Sequence, residues 1–157
     1  MGEYDTALVC LNGHMINGQY NDSPQHNKKF CDKCGSPTIH QCPKCNANLQ
    51  GDYIVRVYFG IGDSTPVPAY CFNCGQPFPW TETRLSAARE LILESDLPDK
   101  EKLSENLTDL ISDTPKTTLA ASRWRKALEK IGKPSAEIFQ KVLTEILTET
   151  AKKLLFP

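Results

Sequence analysis

Two octapeptides decide the reading of this chain: Phe30-Cys31-Asp32-Lys33-Cys34-Gly35-Ser36-Pro37 and Tyr70-Cys71-Phe72-Asn73-Cys74-Gly75-Gln76-Pro77. Both follow the pattern aromatic-C-x-x-C-G-x-P. A third pair, Cys42-Pro43-Lys44-Cys45, is followed by Asn46 in place of glycine. A fourth, Cys10-Leu11-Asn12-Gly13-His14, has histidine in its second position. All seven cysteines lie in the first 74 residues, and an odd count cannot be exhausted by disulfides. Counting His14 gives eight ligands in four pairs, the number that two tetrahedral metal sites require. Side chains this close in sequence meet at one ion only if the backbone between them turns tightly. Glycine and asparagine tolerate the left-handed conformation such turns use. Gly13, Gly35, Asn46 and Gly75 stand at those places.

Two Zn2+ ions are therefore the expected cofactors, both structural, because four protein ligands leave no open position for catalysis. A disulfide scaffold would need an oxidising compartment as well as even parity. A redox C-x-x-C would stand once on a βαβ pattern, not three times. Iron can replace zinc in the all-cysteine site; the histidine in the other set favours zinc. The repeated octapeptide closes two units, which favours sequential pairing over a RING-like cross-brace. Site 1 is then Cys10, His14, Cys31 and Cys34, and site 2 is Cys42, Cys45, Cys71 and Cys74. His26 and His40 fall outside this scheme and read as loop residues, with His40 the more plausible substitute ligand.

Between the second set of ligands, Asp52–Phe59 is rich in strand formers and reads as one arm of a hairpin. Residues 60–66 read as its turn-rich tip, and Val67–Phe72 as the returning arm. The polar stretch 17–29 reads as loop. At Trp80 the composition changes: cysteine disappears and apolar residues take helical spacing. Four helices are expected. The first is capped by Thr81 or Thr83, the second has Pro98 in its first turn, and the third ends at Gly132. The fourth begins at Ser135, with an apolar stripe from Ile138 through Leu155. The fold class is thus α+β: tandem zinc ribbons built on short β-hairpins over residues 1–80, then a four-helix domain over 81–157. That helical domain is expected to dock through Phe78 and Trp80, on the ribbons or on a second subunit.

The chain has 157 residues, is 39% apolar and carries a formal charge of −1, a globular composition and not a polyanion or a basic coat. No apolar run approaches a membrane span, and the acidic start (Glu3, Asp5) shows no secretory core. Residues 1–80 hold five Lys/Arg against six Asp/Glu. Seven thiolates and two divalent ions would take that half to about −4. Nucleic-acid binding, the usual guess for a zinc ribbon, is weakened accordingly. A local basic cluster, Arg123, Arg125, Lys126, Lys130 and Lys133, surrounds Trp124. It reads first as a solvated helix face, and second as a patch for nucleic acid or an acidic partner. Catalytic constellations are missing, since every cysteine is consumed as a ligand. Asp63 is a lone turn carboxylate, and Gly60-Ile61-Gly62 lacks the continuation of a phosphate loop.

The string from Tyr4 to His14, with Phe30–Gly35, Gln41–Cys45 and Tyr70–Thr81, resembles a bacterial zinc-ribbon family designated a domain of unknown function, DUF2321. The likeness covers residues 4–81. It implies a bacterial, cytoplasmic zinc-ribbon protein and brings no activity, substrate or partner. The leading functional expectation is a non-enzymatic zinc protein engaged in protein contact or self-association. The alternatives are a nucleic-acid-associated regulator and an accessory subunit of an enzyme.

Overall fold

The computed structural model describes residues 2–55 and 65–157. The chain forms two compact units, Met1–Thr83 and Arg84–Pro157. The first unit contains five short strands: β1 (Glu3–Thr6), β2 (Leu8–Cys10), β3 (Met15–Asn17), β4 (Thr38–Ile39) and β5 (Gln50–Ile54). They form a two-stranded sheet, β1–β5, and a three-stranded sheet of order β3-β2-β4, all antiparallel.

Among the described residues, the expected hairpin in the second half of this unit is not seen. β5 starts at Gln50 and pairs with β1, with Tyr4 opposite Tyr53 and a bulge before Thr6 meets Gln50. The expected returning arm contains Pro68 and follows Pro66, two residues with no N–H to give a ladder, and no strand forms over 67–72. Residues 56–64 of the expected strand and tip lie outside the described residues. The Ala7 N–H extends the β1–β5 contact by donating to the Leu49 carbonyl at 2.8 Å. Gly51 sits in this crossing because nothing larger fits. A Cβ there would collide with the Gly18 carbonyl and the Thr6 backbone.

The polar stretch after β3 is held by side chains in place of a ladder. Asp5 accepts from the Thr6, Asn21 and Asp22 N–H groups and from the Asn21 side-chain amide. Burial works to raise its carboxyl pKa, but these donors outweigh that and hold it below its usual 3.8. Asn17 donates to the Gln19 and Ser23 carbonyls and to the Asn27 side chain, and accepts from the Gln19 N–H. The apolar core of this unit is small: Ala7, Val9, Leu49, Phe78 and Trp80, joined by Cys42 and Cys71. Phe78 and Trp80 stack with centroids 4.7 Å apart, inside this core.

Five helices follow, one more than the sequence pattern implies: α1 (Pro79–Glu94), α2 (Lys100–Ile111), α3 (Thr117–Leu128), α4 (Lys133–Ile146) and α5 (Glu149–Leu155). The apolar stripe assigned to one final helix is broken at Leu147. Thr148 caps α5 by accepting from the Ala151 N–H, and donates its own N–H to the Leu110 carbonyl. The break carries Ala151 and Leu155 into the core.

The helix starts also shift. α1 begins at Pro79, and the Thr81 hydroxyl donates to the Ala69 carbonyl instead of capping. α2 begins after Asp99, whose φ is +51°, leaving Pro98 outside the helix. Gly132 precedes α4 as its N-cap, and Pro134 takes the first turn, where its missing N–H costs nothing. The core of the second unit is apolar and continuous, with Ile92, Leu107, Leu110, Trp124 and Leu143 essentially sealed. Ile138, expected in the stripe, is exposed. Trp124 packs against Phe139 at 6.0 Å, and its indole Nε1 has no hydrogen-bond partner among the described residues.

Two substitutions test these packing claims. Gly51→Ala should destabilise the first unit by at least about 1–3 kcal/mol, because the obstruction is backbone and not a yielding side chain. Thr148→Ala should cost the second unit about 1 kcal/mol through loss of its cap. Urea denaturation of the full chain, followed by NMR signals from each unit, measures both.

Candidate metal centres

Three C-x-x-C turns share one backbone solution. In each, the residue after the second cysteine has positive φ: +73° at Gly35, +61° at Asn46 and +71° at Gly75. Its N–H donates to the carbonyl of the first cysteine, at 2.8–2.9 Å in all three. The N–H of that first cysteine donates to the carbonyl five positions on: Cys31 to Ser36, Cys42 to Ala47 and Cys71 to Gln76. A β-bridge closes each knuckle, Phe30–Pro37, Gln41–Asn48 and Tyr70–Pro77. The middle knuckle is thus a copy of its neighbours, although its sequence lacks the aromatic, the glycine and the proline. The Cys10–His14 turn is tighter. Gly13, at φ +86°, donates its N–H to Cys10, and the Cys10 N–H donates to the His14 carbonyl.

These turns assemble two groups, Cys10/His14/Cys31/Cys34 and Cys42/Cys45/Cys71/Cys74. In each, the four ligand atoms lie within 4.8 Å of one another. The structure therefore brings together the eight residues singled out from the sequence, in the sequential arrangement. His26 and His40 belong to neither group; His40 instead stacks on Tyr20 at 4.5 Å.

The spacing of the donor atoms tests the fit of a tetrahedral ion. Metal–sulfur bonds of about 2.3 Å set sulfurs about 3.8 Å apart, and a sulfur and an imidazole nitrogen about 3.5 Å apart. Cys10 and Cys34 sulfurs are 3.7 Å apart, and His14 Nδ1 lies 3.4 Å from Cys10 and 3.5 Å from Cys31. In the second group the Cys42–Cys74 and Cys45–Cys71 sulfurs are 3.8 and 3.6 Å apart. Disulfide sulfurs would be about 2.05 Å apart. Both groups are compatible with one metal ion each.

Their electrostatics call for a cation. The Cys34 thiol is drawn down to about 5 by the Ser36 N–H and the side chains of Asn12 and Ser36. Cys45 is drawn down to about 6, by the Asn73 side chain and then the Ala47 N–H. Cys74 goes the other way. The Gln76 N–H lowers it, but burial and the thiols of Cys45, Cys71 and Cys42 together push it up to about 11. Burial raises Cys10 as well, against the N–H groups of His14 and Asn12. Crowded thiolates cannot all stay charged alone; a bound dication would make full deprotonation favourable. Two N–H···S bonds, from His14 to Cys10 and from Lys33 to Cys31, also favour the thiolate. The supporting residues Asn12, Ser36 and Asn73 are not legible from the ligand spacing, because polar loop residues carry no periodic signal.

The second knuckle pair is tied to the small core. Trp80 Nε1 donates to the Pro68 carbonyl at 2.8 Å, and the Phe78 N–H to the Ala69 carbonyl at 3.1 Å. The weaker site candidates lie in the other unit. Trp124 is fully buried, so no face of it is open to a base or a partner. Arg123, Lys126 and Lys130 line one groove; Arg125 does not line it.

Fold and site together define a small α+β protein with paired cysteine/histidine clusters and a helical C-terminal region. Over residues 3–155 the chain matches the family described as "Uncharacterized protein conserved in bacteria" (DUF2321), and it belongs to that family. The match runs through the helices as well as the cysteine-rich part. No curated protein and no solved structure matches it.

The raised thiol of Cys74 has a measurable consequence. It is protonated at neutral pH without an ion, so metal binding at the second group must expel at least that proton. Zn2+ affinity there should rise about tenfold or more per pH unit between neutral pH and pH 9. Competition against a chelator at several pH values measures the slope, and a flat profile would contradict the assignment.

Proposed function

We propose that both groups hold Zn2+ as a structural ion, and that the protein is a non-enzymatic module for contact with other proteins. The single observation that carries the zinc reading is the spacing of the donor atoms, 3.4–3.8 Å along five measured edges. The mixed Cys3His set favours zinc over iron in the first group. With four protein donors each, neither group keeps a position for substrate. Cys10, Cys31, Cys42 and Cys71 are buried, so in each group two of the donors belong to the folded interior. Structural zinc contributes about 10–16 kcal/mol apparent free energy per site, far more than the few apolar side chains of this unit supply.

The protein-contact role draws on exposed aromatics of the first unit. Phe72 is 73% exposed, Phe30 61% and Tyr4 58%. Tyrosine and phenylalanine left in water are the residue types that interfaces bury. The stripe on the last helices, by contrast, supplies Phe139, Leu143, Ala151 and Leu155 to the unit's own core. Nucleic-acid contact is less favoured, because Trp124 offers no stacking face and the thiolates leave the first unit acidic.

Native mass spectrometry should find two zinc ions per chain. Chelation should erase the dispersed NMR signals of residues in the first unit while helical signals of the second persist. A chain with one ion or none, or one whose first unit stays folded after complete chelation, overturns the structural-zinc reading. For the contact role, a triple variant Tyr4→Ser, Phe30→Ser, Phe72→Ser should keep both ions yet lose self-association or partner binding. A monomeric wild type that binds nothing would defeat it.

A further inference from the structure

A groove of about 260 Å³ runs between α2 and α3 within the second unit. Its lining includes four cations, Lys102, Arg123, Lys126 and Lys130, and one carboxylate, Asp99. The convergence follows from helical spacing. Arg123 and Lys126 stand at i and i+3 on one face of α3, and Lys130 lies in the turn just past its C-terminal end. Lys102 and Asn106 stand one turn apart on α2. The Asn106 amide NH2 donates to the Lys102 carbonyl at 2.7 Å, which leaves its oxygen to accept from Arg123 Nη1 at 3.3 Å. That bond orients the guanidinium at the groove. None of the four cations forms an ion pair among the described residues. Four cations against one carboxylate leave the concave site with excess positive charge, which a bound anion would offset.

We propose that this groove binds a compact phosphorylated ligand carrying a diphosphate or triphosphate group. The cations exceed the one carboxylate by three, matching the charge of such a group. Arginine and lysine are the residues that hold phosphate oxygens, the arginine by a two-pronged fork. The volume lies near the lower end of small-molecule sites, about 300 Å³. A nucleic-acid strand is the poorer occupant, since tight backbone binding draws on phosphate contacts spread along a longer track. This site is independent of the zinc reading.

The test uses the full metal-loaded chain, with ADP and inorganic pyrophosphate as probes and a single-stranded oligonucleotide as comparator. Titration followed by NMR should shift the amides of residues 99–106 and 123–130, with affinity falling as salt rises. Arg123→Gln and Lys126→Gln should each weaken ADP binding about tenfold. Arg125→Gln removes the same charge from the same helix outside the groove, and should change binding less than about twofold. These residues are exposed, and thermal melts of the variants check that the unit stays folded. No binding of either probe overturns the proposal. So does an Arg125→Gln loss equal to that of Arg123→Gln, which would mark a diffuse charge effect. Oligonucleotide binding that pyrophosphate does not displace would replace it with a nucleic-acid surface.

Discussion

Four donor atoms held within 4.8 Å of one another, twice over, are the constraint around which the first unit is organised. Thiolates at that distance repel: in the second group, against the Gln76 N–H, burial and the neighbouring thiols push Cys74 up to about 11, while in the first the Ser36 N–H and the Asn12 and Ser36 side chains draw Cys34 down to about 5. A bound dication would turn this repulsion into attraction. The strands are only two to five residues long, and the apolar side chains around them are few. Sheets this short do not stand alone in water. β2 ends at Cys10, β3 follows His14, β4 lies between the second and third cysteine turns, and β5 follows the third.

The turns reach the same geometry from unlike sequences. Asn46 does the work that Gly35 and Gly75 do elsewhere, because its short polar side chain tolerates positive φ. Pro37 and Pro77 occupy bridge positions where the middle knuckle has Asn48. What the three share is a hydrogen-bond closure around the first cysteine. Where neither ladder nor knuckle is present, buried polar side chains take over. Asp5 and Asn17 gather N–H and carbonyl groups of residues 19–23, which belong to no strand ladder.

The second unit coheres by different physics. Its helices bury a continuous apolar core around Trp124 and Leu107, and its polar groups cap and join helices. Its one unsatisfied buried side-chain donor among the described residues, Trp124 Nε1, marks a place where packing outweighed hydrogen bonding. On the outside of the same helix, arginine and lysine at helical spacing meet Lys102 of α2. An apolar face and a cationic face thus come from one sequence period.

The two cysteine/histidine groups were legible in the sequence because the turns that form them are local. A C-x-x-C spacing and a following glycine or asparagine specify a turn whatever surrounds it, and the octapeptide repeat indicated which turns come together. Helix identity was legible for the same reason, since a 3.6-residue period needs no partner to be visible. Strand pairing was not. Whether β5 meets β1 or residues 67–72 depends on backbone donors that Pro66 and Pro68 lack and on a crossing only Gly51 permits. The break at Leu147 was hidden because Leu147, Ala151 and Leu155 keep helical spacing across it; the Thr148 cap and the bond to Leu110 decided it. The burial of Trp124, and the separation of Arg125 from the three cations that share a groove, likewise came only from tertiary structure. Charge is a property of a residue, but which charges face one another is settled by how helices pack.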